Sequence, residues 1–213
     1  MSEYHTVSAY RGPTAIVLAE AIAAYAHKYD VKTEPVTPSD PINADKDLGI
    51  FSAGEWVVVL GPKFFNGYDL PLVRELSATH GWLASAVRVD DGNYWEHFAF
   101  DGRDVLHEFC SRPHFWAEED PKTEARMMAY SSSPARLCAR LGIAERLILP
   151  YLADADTLSE GEERAHPDDQ FPLGDYWVFV DFWKRLGIMY PDMREPVTRV
   201  RLNRFYNKRL PNE

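Results

Sequence analysis

The chain has 213 residues, 46% of them hydrophobic and 26% charged, with a formal net charge of −10. That composition is ordinary for a folded globular protein and argues against disorder. The acidic balance weighs against nucleic acid as the main partner, since phosphate binding needs a basic face. No apolar run approaches the ~18 residues of a membrane helix, so no membrane partner is expected. The first residues lack a basic stretch followed by an apolar core, and Cys110 and Cys138 are too few for a disulfide framework. A cytoplasmic protein with reduced thiols is the expectation.

Residues 3–10 alternate and carry Thr6, Val7 and Tyr10, which reads as a first strand. Gly12 and Pro13 punctuate it, and Pro13 suits the first turn of a helix, where its missing N–H is no loss. Residues 14–29 form that helix, with Ile16, Ala19, Ala23 and Ala26 in one stripe and Val17, Ala21 and Ala24 beside it. Residues 31–37 are β-like, but Pro35, Pro38 and Pro41 restrict them to an edge strand or an extended loop. Residues 48–52 and 55–60 read as strands around an Ala53–Gly54 turn. The run Trp56, Val57, Val58, Val59, Leu60 is apolar on both faces and marks a central strand. A second helix over 70–80 ends at Gly81, and 82–89 is a further strand. The order β-α-β-β-α-β is ferredoxin-like, with helices laid on an antiparallel sheet.

Residues 94–116 pack three histidines, one cysteine and seven aromatics into 23 positions. Asp101–Gly102 predicts a type I′ turn, so a β-hairpin should extend the sheet. A two-residue turn there puts Tyr94, Glu96, Phe98 and Phe100 on one face with Val105, His107 and Phe109. Glu96 then opposes His107 at about 4.5–5.5 Å between Cβ atoms. Such a pair is a general acid/base couple, a pH-sensitive contact or a plain cross-strand ion pair. His107, Cys110 and His114, with His97, also have a spacing that invites a metal. Strand alternation sends His107 and Cys110 to opposite faces, so no metal is assigned. Cys110 is either a nucleophile served by His107 or His114, or an inert buried thiol. No phosphate-binding glycine motif or nucleophile elbow occurs, and no cofactor is expected. Pro113 ends the strand, so Arg112, His114 and Trp116 should emerge on a rigid rim, and Arg and Trp are enriched at binding hot spots.

Residues 117–127 are charged without an apolar period. Ser133 precedes Pro134 as the expected N-cap of a helix over 136–149, with Leu137, Leu141, Ala144, Leu147 and Ile148 facing inward. Residues 154–175 hold eight acidic side chains against the single Arg164, whereas the last twenty hold six basic ones. This acidic loop is either covered by the basic tail or docks a basic partner. A last helix over 176–186 stops at Gly187. It carries Trp177, Val180, Trp183 and Lys184 on one face and Tyr176, Phe179, Phe182 and Leu186 on another. Burial on both sides or a homodimer contact would explain that, and Asp181 between them needs Arg185 or a backbone donor.

The expected architecture is therefore α+β. A ferredoxin-like antiparallel sheet domain over 1–116, extended by the hairpin, is followed by a helical extension over 117–213, or the whole is one domain. The expected function is a protein-binding module of immunity, adaptor or regulatory type, using the Arg112–His114–Trp116 rim and the acidic loop. One alternative is a small hydrolase or transferase with Glu96, His107, His114 and Cys110 at the sheet edge. Another is a structural homodimer subunit.

Overall fold

The computed structural model describes residues 5–34, 36, 40–62, 69–117, 119–130, 133–158, 163–191 and 195–203. The basic tail from 204 onward lies outside them. The chain opens with β1 (His5–Arg11), whose five inner residues are all buried, as a strand covered on both faces requires. Helix α1 (Ala15–Lys28) starts at Thr14, whose hydroxyl accepts the Val17 N–H. Its buried face is Leu18, Ile22, Tyr25, Ala15, Ala21 and Ala26, while Ile16 and Val17 are exposed. The expected alanine stripe is thus rotated aside. Leu18, Ile22 and Tyr25 recur at helical spacing and carry more apolar area, so they set which face packs.

The margin strand β2 (Lys32–Glu34) matches the proline-limited edge expected there. Then come β3 (Asp47–Ala53) and β4 (Trp56–Leu60), joined by Gly54 and Glu55. Helix α2 (Asp69–His80) leads into β5 (Leu83–Asp90), β6 (Tyr94–Asp101) and β7 (Asp104–Cys110). The expected connection at 117–127 is instead a helix, α3 (Pro121–Met128). Asp120 caps it by accepting the Lys122 and Thr123 N–H groups, and Met127 is its buried anchor.

Helix α4 (Ala135–Leu141) is half as long as expected. Gly142 takes a left-handed φ of 72° and terminates it, and tight 3-10 turns follow at Glu145–Leu147, Leu149–Leu152 and Ala155–Thr157. Its N-cap is Pro134, without a side-chain cap bond, rather than Ser133. Helix α5 (Val178–Arg185) begins two residues later than expected and ends before Gly187 at φ 78°. The chain then returns to the sheet as β8 (Thr198–Asn203).

The eight strands form one antiparallel sheet in the order β2-β8-β3-β4-β1-β5-β6-β7. Both faces are covered. Tyr10, Ile50, Val59, Ala84 and Phe98 meet α1 and α2 on one side. On the other, Val7, Val58, Val87, Trp95 and Phe109 meet Leu137 of α4 and Phe179, Phe182 and Trp183 of α5. The aromatic faces of α5 are therefore largely spent on this core. Asp181 finds backbone donors, the N–H groups of Gln170 and Phe171, both at 2.8 Å. Arg88 on β5 grips Asp69 at the start of α2 through two bonds of 2.7 and 2.8 Å, and Asp47 ties Arg199 and Arg201 of β8 to β3. Among the described residues no helix is long and apolar enough to cross a membrane.

Candidate functional site

The β6–β7 hairpin decides where the candidate residues fall, and its register differs from expectation twice. Asp101 pairs with Asp104, so the two-residue loop is Gly102–Arg103. Gly102 has a φ of 60°, and Arg103 is not among the residues of positive φ, the pattern of a type II′ turn rather than I′. Next, Phe100 pairs with Val105 but Ala99 pairs with His107, leaving Leu106 as a bulge. The displaced loop alone would keep His107 on the face of Phe98. The bulge flips it. Glu96 consequently opposes Cys110, not His107, and the expected Glu96–His107 couple does not form.

His107 instead meets His97 on the α5 side of the sheet. Their Nδ1 atoms lie 2.7 Å apart, His97 Nε2 lies 2.9 Å from the Ser85 hydroxyl, and Trp183 Nε1 is 3.0 Å from that same hydroxyl. One direction in this chain is fixed. An indole N–H can only donate, so Ser85 accepts from Trp183. The two imidazoles share a single hydrogen between their Nδ1 atoms, and His107 Nε2 is buried without a partner. Burial, and for His97 also the neighbouring ring, holds His97 well below the usual imidazole pKa, and burial brings His107 down to about 4. Two neutral rings packed on Phe182 lock the sheet to α5.

Glu96 and Cys110 share the opposite face, beside Tyr94 and Met127. Glu96 is buried, one of its oxygens has no hydrogen-bond partner, and a guanidinium nitrogen of Arg88 is 3.9 Å from the other. Burial pushes its carboxyl up to about 7, against the pull of Arg88 and Arg126. Burial likewise pushes the Cys110 thiol up to about 12, with the charge of Glu96 adding to the rise. A thiol held that high is protonated at neutral pH and is a poor nucleophile. Its sulfur rests 3.8 Å from the Met127 sulfur. Among the described residues no three His, Cys, Asp or Glu side chains are grouped to hold a metal ion.

The rim residues sit together on the loop after β7, each tied to its own chain. Arg112 pairs with Asp156 at 3.3 Å, exposed His114 with Glu124 at 3.0 Å, and Trp116 donates to the Tyr94 hydroxyl at 3.0 Å. The Glu124 bond raises the pKa of His114. The acidic segment joins this rim: the Ala155 N–H donates to the Ser111 carbonyl at 2.7 Å. Between them opens a cleft of about 190 Å³ lined by Cys110, Pro113, Met127, Met128, Tyr130 and Asp154. Phe115 and Met128 are exposed on this side. Four candidates thus divide three ways. Glu96 and Cys110 are buried on one face, His107 on the other, and His114 is in solvent. Ser85 and Trp183, the remaining members of the histidine chain, had no signal in the sequence, being 98 positions apart.

No family model matches the chain, and neither a curated protein nor a solved structure does.

Proposed function

We propose that this protein is a protein-binding module of immunity, adaptor or regulatory type, and that its docking face is the rim together with the acidic loop. One observation carries the reading. Residues 111–116 and 154–156, about forty positions apart, are fastened into a single surface by the Ser111–Ala155 and Arg112–Asp156 contacts. This surface offers exposed Phe115 on the rim and exposed Met128 at the cleft. Methionine adapts to irregular partners, and aromatic anchors dominate interface energetics. Asp154 at the cleft and the net charge of −10 favour a partner with a basic patch, which would also speed encounter.

The enzyme alternative draws less support, because its four residues do not converge and the thiol is held protonated. The homodimer alternative loses its motive where Phe179, Phe182 and Trp183 are buried in their own core. For the fold, we read β3-β4-β1-β5 with α1 and α2 as a ferredoxin-like core, extended by β6 and β7 on one side and β8 and β2 on the other. We treat the two halves as one domain, since they share a buried cluster.

The test compares wild-type protein with a Phe115→Ala/Met128→Ala variant as bait in extract of the native cell, using quantitative mass spectrometry. A protein retained by the wild type and depleted at least tenfold on the variant is the expected result. Identical retention on both baits would sink the proposal.

A further inference from the structure

A groove of about 580 Å³ lies between residues 168–171, α5 and residues 188–190, and no rim residue lines it. Trp177 and Tyr190 form two of its walls, with ring centroids 5.8 Å apart and planes at 84°. Phe171 backs Trp177 in a stacked arrangement at 6.3 Å. The two rings touch edge to face, and His5 packs against both at 5.4 and 6.1 Å, so what they offer a guest is an apolar wall along which a long side chain can lie. Val180, Ile188 and Met189 supply apolar lining alongside.

The groove also holds a carboxylate with spare capacity. Asp181 lines it yet is only 3% exposed. Its Oδ2 accepts the Gln170 and Phe171 N–H groups, each at 2.8 Å, which fixes the side chain in place. Its Oδ1 has no hydrogen-bond partner among the described residues. The other lining carboxylate is already compensated: Asp168 binds Lys184 at 2.8 Å and Arg185 at 2.6 Å. Lys184, the groove's own ammonium, is therefore engaged and leaves Asp181 for a guest.

We propose that this groove receives a basic peptide segment of a partner protein. An arginine or lysine side chain lies against Trp177 and Tyr190 and directs its N–H groups to Asp181 Oδ1, while a flanking apolar residue rests on Val180 and Met189. A quaternary ammonium has no N–H to offer Asp181. A neutral apolar segment would cover that carboxylate without pairing it, which is costly. An anionic segment would set a second negative charge against Asp181 in the groove. The volume suits several side chains rather than one small amine.

The test is an NMR titration of the intact protein with acetyl-Leu-Arg-Leu-amide and with its citrulline counterpart, which keeps the shape and lacks the charge. The arginine peptide is expected to shift the Trp177 indole N–H, assigned with Trp177→Leu, and to bind at least about fivefold tighter than the citrulline peptide. That gap should close in Asp181→Asn, whose side-chain oxygen can still accept the two backbone N–H groups. Trp177→Leu, read by calorimetry, removes the apolar wall and is expected to weaken the arginine peptide at least about threefold, independently of whether the asparagine variant folds. Equal binding of the two peptides overturns the proposal. So does a gap undiminished in Asp181→Asn, an affinity for the arginine peptide unchanged in Trp177→Leu, a response confined to resonances outside the groove, or no binding of either peptide at millimolar concentration. Because the rim lines none of the groove, the bait experiment and this titration fail separately.

Discussion

Replacing Ser85 with alanine deletes one hydroxyl and orphans two buried groups. Ser85 is 1% exposed, and both Trp183 and His97 are at 0%. The Trp183 indole N–H loses its acceptor at 3.0 Å, and His97 Nε2 loses its hydrogen-bond partner at 2.9 Å. An unsatisfied buried polar group costs about 1–3 kcal/mol, so the pair predicts a loss of about 2–6 kcal/mol. For a chain of this size each kcal/mol moves Tm by about 2–4 °C, giving a fall of roughly 4–24 °C. Differential scanning calorimetry at pH 8, where both rings are neutral, reads this directly. A double-mutant cycle sharpens it. With Trp183→Phe already present, the indole donor is gone, so Ser85→Ala should then cost only about 1–3 kcal/mol. A loss below about 1 kcal/mol in the wild-type background, or strict additivity in the cycle, would refute Ser85 as the bridge between Trp183 and His97.

Three further outcomes follow from the same buried groups. His97 and His107 stay neutral in the fold while the unfolded chain takes up protons near pH 6.5. Stability is therefore fully present above about 6.5 and drains away as pH falls, until His107 titrates in the fold near about 4. Urea midpoints measured from pH 8 to pH 4 in His107→Phe should fall less steeply than in the wild type, and parallel curves would contradict this. Glu96 works in the opposite sense, since its carboxyl rises from 4.5 to about 7 on folding, so its contribution is lost as pH climbs through that window. Glu96→Gln should gain on the wild type between pH 5 and pH 8 by at most about 3 kcal/mol, whereas a pH-independent difference would count against the assignment. Cys110 and Cys138 are both buried and both thiols are raised in pKa. Iodoacetamide at pH 8 should label neither until denaturant is added, and rapid labelling of Cys110 in the native protein would show the thiol to be accessible.

The α+β class and most strands were legible because period-two alternation and glycine-bearing turns are local signals. What misled was also local. In α1 the alanine stripe has the right spacing, but Leu18, Ile22 and Tyr25 offer more area and win the sheet. Beyond Leu141 the apolar period runs on through Ile148, yet a left-handed Gly142 had already ended the helix. The α3 helix was hidden by its single buried anchor, Met127, although Asp120 followed by Pro121 is a recognisable start. The pairing of β8 with β2 and β3 depends on contacts across some 150 to 170 positions, and short-range pattern carries no such information.

The candidate site was less legible, and the reason lies in Leu106. Asp101–Gly102 correctly announces a hairpin, but the loop settles one residue later, which by itself shifts the pairing by two and preserves every face. A bulge shifts it by one, and a shift of one exchanges the faces. Val105 and Leu106, adjacent and both apolar in an otherwise alternating strand, were the only trace of it. The second face had to accept His107 because His97, Ser85 and Trp183 can satisfy an imidazole there, whereas the first face already holds Glu96 beside Arg88 and Asp69. Placing His107 beside Glu96 would have made an ion pair in a position where burial lifts the carboxyl to about 7. The structure separates the two instead, and each is held neutral by its own surroundings over part of the pH range. That separation turns an apparent acid/base couple into two structural devices, and it moves the search for function outward, to the rim and the groove.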